Sequence, residues 1–143
     1  MVRARVALVD GDASGALTNA WTATEGMLGD LLKRHLDEQA DRPVEGFPPG
    51  NAPKFVNSNR RDFFESAEMT ARNVVELLSL VDWLPFHLYR TARQCATARN
   101  KWLHAEEEPS TEVAVAALEA AGELFELLEG VPLRVLPKFG SVY

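Results

Sequence analysis

This sequence of 143 residues has a single cysteine, no long apolar run and no excess of positive charge. Its one cysteine, Cys95, excludes an internal disulfide framework and a cysteine-rich metal site. No apolar run approaches the roughly 20 residues that a helix needs to cross a bilayer. The opening Met-Val-Arg-Ala-Arg-Val lacks the long apolar stretch and the small-residue cleavage site of a signal peptide. We therefore expect a cytoplasmic protein that does not associate with membranes.

The balance of charge limits the class of partner. The chain carries 21 acidic and 15 basic residues, a formal net charge of −6, which argues against a general nucleic-acid coat protein. Any contact with RNA therefore requires a local basic patch. Apolar residues make up 46% and charged residues 25%, the composition of an ordinary globular protein. The length predicts a single domain over residues 1–143 with a substantial core.

Apolar residues recur with the helical period in four long segments. The pattern predicts helices over residues 14–39, 58–81 and 83–106, and a last helix that Ser110 caps and Gly130 ends. Ser14 and Asp82 are the expected caps of the first and third of these helices. Residues 1–13 fit either a short helix or an extended lead-in. Together these segments predict an all-α fold, an up-down bundle of four long helices with room for a short fifth element at the N-terminus.

Two stretches interrupt or follow the predicted helices. Residues 41–57 hold four prolines and two glycines: Pro43, Pro48, Pro49, Pro53, Gly46 and Gly50. A loop this long is uncommon in a compact domain and often faces a partner, although a surface crossover is the simpler interpretation and the one we favour. Residues 131–143 include two further prolines and are predicted to form an extended tail.

The third predicted helix combines an apolar stripe with an unexpected cation. The stripe consists of Leu84, Leu88, Ala92, Cys95, Trp102 and Leu103, and Arg99 falls in the middle of it. The opposite, polar side holds Arg93, Thr97, Asn100 and His104. Arg99 and His104 are thus about 140° apart on an ideal helix. They could share a site if the arginine side chain reached out of the stripe, if the helix end were distorted, or if a second subunit completed the site.

The string Arg99-Asn100-x-x-x-His104 contains the residue types needed for phosphoryl chemistry without a metal. Arginine is a permanent cation whose planar fork matches a phosphate, and histidine can take and return a proton near neutral pH. Two structural interpretations stand beside this one. His104 also suits the C-terminal end of a helix, where the dipole favours a cation, and Arg99 could pair with a buried glutamate. Trp102 and Cys95 are expected to be core residues.

The motif Arg99-Asn100-x-x-x-His104, on the third long helix of a small bundle and followed by an Ala- and Leu-rich helix, resembles the HEPN superfamily over residues 60–130. The tryptophan inside the motif makes it most similar to the branch of nuclear endoribonucleases and bacterial conflict systems. One toxin branch has a tyrosine two positions after the histidine. This chain has Glu106 there, so regulation by modification of that tyrosine is not implied.

The resemblance implies a symmetric dimer in which two motifs meet in one cleft and cleave RNA without metal or cofactor. The RNA 2′-hydroxyl would attack the neighbouring phosphate, with His104 as base or acid. Arg99 would stabilise the charge on the phosphorane, and Asn100 would position the phosphate. Three further cations could supply the local basic patch for the substrate: Arg90, Arg93 and Lys101.

Two function classes are consistent with these features. The first is a metal-independent endoribonuclease that forms a homodimer, acting as a toxin or defence effector with an antitoxin or conflict-system partner. The second is a non-catalytic HEPN-like module for dimerisation or partner binding, since the superfamily includes inactive members. The intact motif favours the first class, whereas the acidic balance and the Pro-rich loop are compatible with the second.

Overall fold

The described part of the chain, residues 1–48 and 50–131 of a computed structural model, forms six helices and no strand. The all-α prediction is therefore confirmed for these residues. The helices are α1 (Val2–Val9), α2 (Ala13–Gln39), α3 (Ser58–Phe64), α4 (Ala71–Leu80), α5 (Phe86–Ala105) and α6 (Thr111–Glu129). None of them is long and apolar enough to cross a membrane.

The first two helices form a hairpin around a tight turn at residues 10–12. Ala4 on α1 is fully buried and belongs to the same core cluster as Leu17 on α2. The predicted cap of α2 is wrong by two residues, because the carboxylate of Asp12 accepts the backbone N–H of Gly15 at 2.7 Å. Ser14 instead donates its hydroxyl to the same carboxylate at 2.9 Å. Asp12 thus satisfies a free N–H at the start of the longest helix.

The single helix predicted over residues 58–81 is wrong, because the chain turns at residues 65–70 and forms α3 and α4. Ser66 donates its hydroxyl to the carbonyl of Phe63 at 2.7 Å, which satisfies an acceptor where α3 ends. Thr70 then accepts the N–H of Asn73 at 3.3 Å and caps α4. Apolar periodicity continued through this turn, so it could not reveal the break. The local indication of a turn was the pair of hydroxyl residues, Ser66 and Thr70, which bond to nearby backbone.

The break also changes which side chains are buried. Within the predicted helix over 58–81, Phe63 is 52% exposed, and Ala67 and Thr70 are exposed as well. Val74, Val75 and Leu78 of α4 are buried. Helix α3 contributes no buried residue, although its Phe64 is partly buried and packs against the core.

The bounds of α5 differ from the predicted 83–106, and Asp82 is not its cap. Asp82 adopts a left-handed backbone conformation with φ of 59° in the turn before the helix. Pro85 occupies the N-cap position instead and makes no side-chain cap bond. Both predicted ends of α6 are confirmed: Ser110 accepts the N–H of Val113 at 3.3 Å, and Gly130 ends the helix with φ of 67°.

Helix α2 is central to the packing and contacts α1, α4, α5 and α6. Arg34 of α2 donates to the carbonyl of Leu128, so the C-terminal ends of α2 and α6 meet. Trp21 of α2 and Val75 of α4 line one cleft, and Leu36 of α2 and Leu77 of α4 line another. The predicted up-down arrangement of four long helices is not confirmed, since the described residues form six helices. Within residues 41–48 and 50–57 there is no helix or strand, and the predicted tail lies outside the described residues except Val131.

Candidate functional site

Helix α5 carries the candidate residues and is anchored by its apolar stripe. Leu88, Ala92 and Cys95 are buried against the core, as predicted. Burial raises the pKa of the Cys95 thiol to about 11, so this thiol stays protonated and is not a nucleophile. The helix is continuous from Phe86 to Ala105, which fixes the directions of all side chains on its last two turns.

Arg99 lies one turn beyond Cys95 on the side of the helix that faces the core. Its side chain is half-buried, and its Nε is enclosed without a hydrogen-bond partner among the described residues. The alternative of a buried ion pair with a glutamate is not observed, because none of the ion pairs found in residues 1–48 and 50–131 includes Arg99. An enclosed N–H without an acceptor destabilises the folded state.

His104 lies in the last turn of α5 and is exposed. Asn100, one turn earlier, is exposed on the same side. The helix ends just after His104, where Glu106 takes a left-handed conformation and donates its N–H to the carbonyl of Trp102. Because α5 is regular up to Ala105, no distortion brings His104 round to Arg99. One chain therefore presents the two candidate residues on different faces.

Leu103 was predicted to continue the core stripe, and this prediction is wrong: its side chain is 48% exposed. On the helical wheel Leu103 is about 40° from Arg99 and about 100° from His104, on the arc between them. Trp102, also expected in the core, is half-buried. The apolar stripe of α5 is thus buried from Leu88 to Cys95 but not at Leu103. The result is an exposed leucine flanked by the two candidate residues.

Asn100 and Arg93 line a small cleft of about 130 Å³ between α5 and the start of α4. Arg72, on the first turn of α4, and Trp21, on α2, complete part of its wall. Sequence reasoning missed Arg72, because only the packing of α4 against α5 places it beside Asn100. The N-terminal end of α4 also contributes the positive end of its dipole on this side. The cleft thus holds groups that suit an oxyanion or a phosphate.

Of the three cations predicted to bind substrate, Arg93 and Lys101 pair with acidic side chains, whereas Arg90 is exposed. Arg93 pairs with Glu76 at 2.9 Å and donates a hydrogen bond to the hydroxyl of Tyr89 at 3.1 Å. The contact with Tyr89 raises the pKa of the Arg93 guanidinium above its usual value. Lys101 pairs with Glu107 at 3.2 Å. Arg90 is exposed and shares a shallow depression with Arg93. The expected basic patch is therefore partly neutralised by neighbouring acids.

Two other histidines, His35 and His87, lie outside the motif. His87, on the first turn of α5, contacts Glu123 through Nε2 and Oε2 at 2.6 Å, a pair between exposed side chains. His35 on α2 packs edge-on against the ring of Trp83, with centroids 4.9 Å apart. In the part of the chain that the structure describes, no group of three His, Cys, Asp or Glu side chains is arranged to hold a metal ion.

Comparison with known protein families, with curated proteins and with solved structures finds no match to this chain.

Proposed function

We propose that the chain is a metal-independent endoribonuclease that acts in the cytoplasm as a two-fold homodimer, in the manner of a toxin or defence effector. One observation carries the proposal: the exposed Leu103 lies on α5 between the half-buried Arg99 and the exposed His104. A second copy of the chain that packs on this face would bury the exposed leucine and lie beside both candidate catalytic groups. The resemblance of the Arg99-Asn100-x-x-x-His104 motif to HEPN nucleases supports the same function.

The dimer is inferred from the separation of the two groups. Arg99 and His104 point about 140° apart on one helix, so the site that one chain presents is incomplete. A two-fold contact through the Leu103 face gathers the arginine and histidine of both copies around one interface. Arg72 and Asn100, in the adjoining cleft, then bind the neighbouring phosphates of the RNA.

The chemistry requires one proton transfer at each reacting oxygen. The 2′-hydroxyl loses its proton as its oxygen bonds to phosphorus, and the bond from phosphorus to the 5′-oxygen breaks as that oxygen gains a proton. The products are a 2′,3′-cyclic phosphate and a 5′-hydroxyl. His104 transfers protons, and Arg99 stabilises the dianionic phosphorane through its guanidinium.

The test is cleavage of end-labelled RNA in EDTA, with identification of the ends produced. We expect cyclic phosphate ends from the parent protein and a rate roughly 10²–10⁴-fold lower for His104→Ala. His87→Ala is the matched control, since it removes another exposed histidine of α5 away from this face. If His104→Ala cleaves at the parent's rate, the nuclease proposal is wrong.

A second experiment tests the dimer. Leu103→Glu places a charge on the proposed contact and should yield a monomer that has lost cleavage. Leu80→Glu is its control, because Leu80 is a leucine on α4 that is 82% exposed. Light scattering measures the mass of both variants. A parent protein that is monomeric at micromolar concentration and fully active would contradict the dimer.

The second candidate function is a non-catalytic module that dimerises or binds a partner such as an antitoxin. Its support is electrostatic: Glu76 and Glu107 neutralise Arg93 and Lys101, and the whole chain has a net charge of −6. Such a surface attracts RNA weakly. This function predicts a dimer that does not cleave RNA and whose mass still falls on Leu103→Glu.

A further inference from the structure

A pocket of about 830 Å³ opens on the opposite side of α4 from the Asn100 cleft, where the C-terminal end of α2, α3, α4 and residues 55–57 meet. Its walls are mostly apolar and include Leu36, Phe63, Phe64, Leu77 and Val81. A volume of this size is typical of sites for drug-sized ligands. None of the candidate residues of α5 lines this pocket, so a ligand bound in it would not contact them.

Two arginines converge on the ring of Phe55 in this pocket. The guanidinium carbon of Arg42 is 4.8 Å from the ring centroid and that of Arg60 is 5.2 Å from it. The Arg60 guanidinium also donates to the carbonyl of Phe55 at 2.8 Å, which holds it in place. Neither arginine takes part in the ion pairs formed within residues 1–48 and 50–131. In a chain of net charge −6, two such cations beside one aromatic ring are a local positive site.

His35 also lines the pocket. Its Nδ1 is enclosed and makes no hydrogen bond to any described residue, so this atom does not face the open pocket. Burial lowers the pKa of His35, against a smaller opposing effect of Glu38, so the imidazole is neutral at physiological pH. Arg42 and Arg60 are therefore the charged side chains that line the pocket.

We propose that this pocket binds an organic acid with an apolar body and a single anionic head, of the kind represented by a medium-chain fatty acid. The apolar body lies against Leu36, Phe64 and Leu77. The anionic head is bound by Arg42 and Arg60 at the mouth, where guanidinium groups give charge-assisted hydrogen bonds to a carboxylate. Charge complementarity selects this occupant over a neutral lipid, because a carboxylate can form ion pairs with the two arginines and an uncharged head group cannot.

The experiment is calorimetric titration of the purified chain with dodecanoate and, separately, with dodecanol, which has the same chain and no charge. We expect dodecanoate to bind at least about tenfold more tightly than dodecanol. The double variant Arg42→Gln, Arg60→Gln should bind dodecanoate as weakly as dodecanol. Arg90→Gln, an exposed arginine on α5, is the matched control and should bind like the parent.

A third variant tests the apolar part of the pocket. Val81→Trp fills the pocket at the end of α4 and should remove the binding of both ligands, with far-ultraviolet circular dichroism confirming that the helices are intact. Three results would each overturn the inference: no binding of dodecanoate below about 1 mM, equal affinity for dodecanol, or an unchanged affinity in the double arginine variant. Binding of an acidic amphipathic peptide but not of dodecanoate would also overturn it, since the pocket would then be a protein interface.

Discussion

Replacement of Arg99 by methionine should make the protein more stable while it removes RNA cleavage. The Nε–H of Arg99 is enclosed without an acceptor among the described residues, on the core side of α5. Methionine has a similar helix propensity and retains an unbranched apolar stem, but it has no buried donor. A gain in stability with a loss of function is the pattern expected of a residue retained for its chemistry.

The magnitude can be worked out from the unpaired donor. Leaving one buried N–H without a partner costs about 1–3 kcal/mol. Because the side chain is only half-buried, we expect the lower end of this range, a gain of about 1 kcal/mol in the free energy of unfolding. For a chain of this size that corresponds to a rise of roughly 3–4 °C in Tm. Urea unfolding followed by circular dichroism, together with a thermal scan, measures both quantities.

Arg90→Met is the control for Arg99→Met, since Arg90 is an exposed arginine of the same helix. Its free energy of unfolding should stay within about 0.5 kcal/mol of the parent's. The reasoning is refuted if Arg99→Met loses about 1 kcal/mol or more while Arg90→Met does not. The Arg99 guanidinium would then have a stabilising role in the fold, and its position could not be attributed to function.

Two further predictions concern stability. Trp102→Ala should lower the free energy of unfolding by about 2 kcal/mol, below the roughly 3–5 kcal/mol typical of fully buried aromatic residues, because Trp102 is half-buried; an unchanged urea midpoint with lost cleavage would instead assign Trp102 to the substrate site. His35 has a pKa below its usual 6.5 in the folded chain, so its contribution to stability is present above about pH 6.5 and is lost as the pH falls through the folded pKa. The parent should therefore lose more stability than His35→Phe between about pH 7.5 and 5.5, and equal losses in urea unfolding would contradict this assignment.

Periodicity was sufficient to predict the helical class and most of the core. Leu88, Ala92 and Cys95 are buried as the pattern predicts, and the cap at Ser110 was recognisable from its residue type. Periodicity was not sufficient to separate α3 from α4, because the apolar residues keep the same helical spacing through both helices. The turn between α3 and α4 depends on Ser66 and Thr70 bonding to nearby backbone, which competes with a helix without changing the apolar pattern.

The candidate site was predictable only in part, for a different reason. The positions of Arg99 and His104 around α5 result from helix geometry alone, and the regular helix retains that separation. The exposure of Leu103 depends on where neighbouring helices stop, and the placement of Arg72 beside Asn100 depends on how α4 packs. Both depend on tertiary packing, which the residue pattern of a single helix does not determine. The same holds for the pairing of Arg93 with Glu76, which removes a cation from the predicted patch.

The contact between Arg34 and Leu128 joins positions 94 residues apart, whereas residues 106–110 alone connect α5 to α6. Closing the longer loop costs more chain entropy before any contact is gained. We therefore expect the α4–α5–α6 segment to assemble early and α2 to dock on it later, although α2 is central in the finished bundle. Leu28→Ala on α2 should mainly accelerate unfolding, while Leu88→Ala on α5 should mainly slow folding, a difference that stopped-flow kinetics in urea resolves. The helix with the most neighbours in the native state would then contribute few contacts to the folding nucleus.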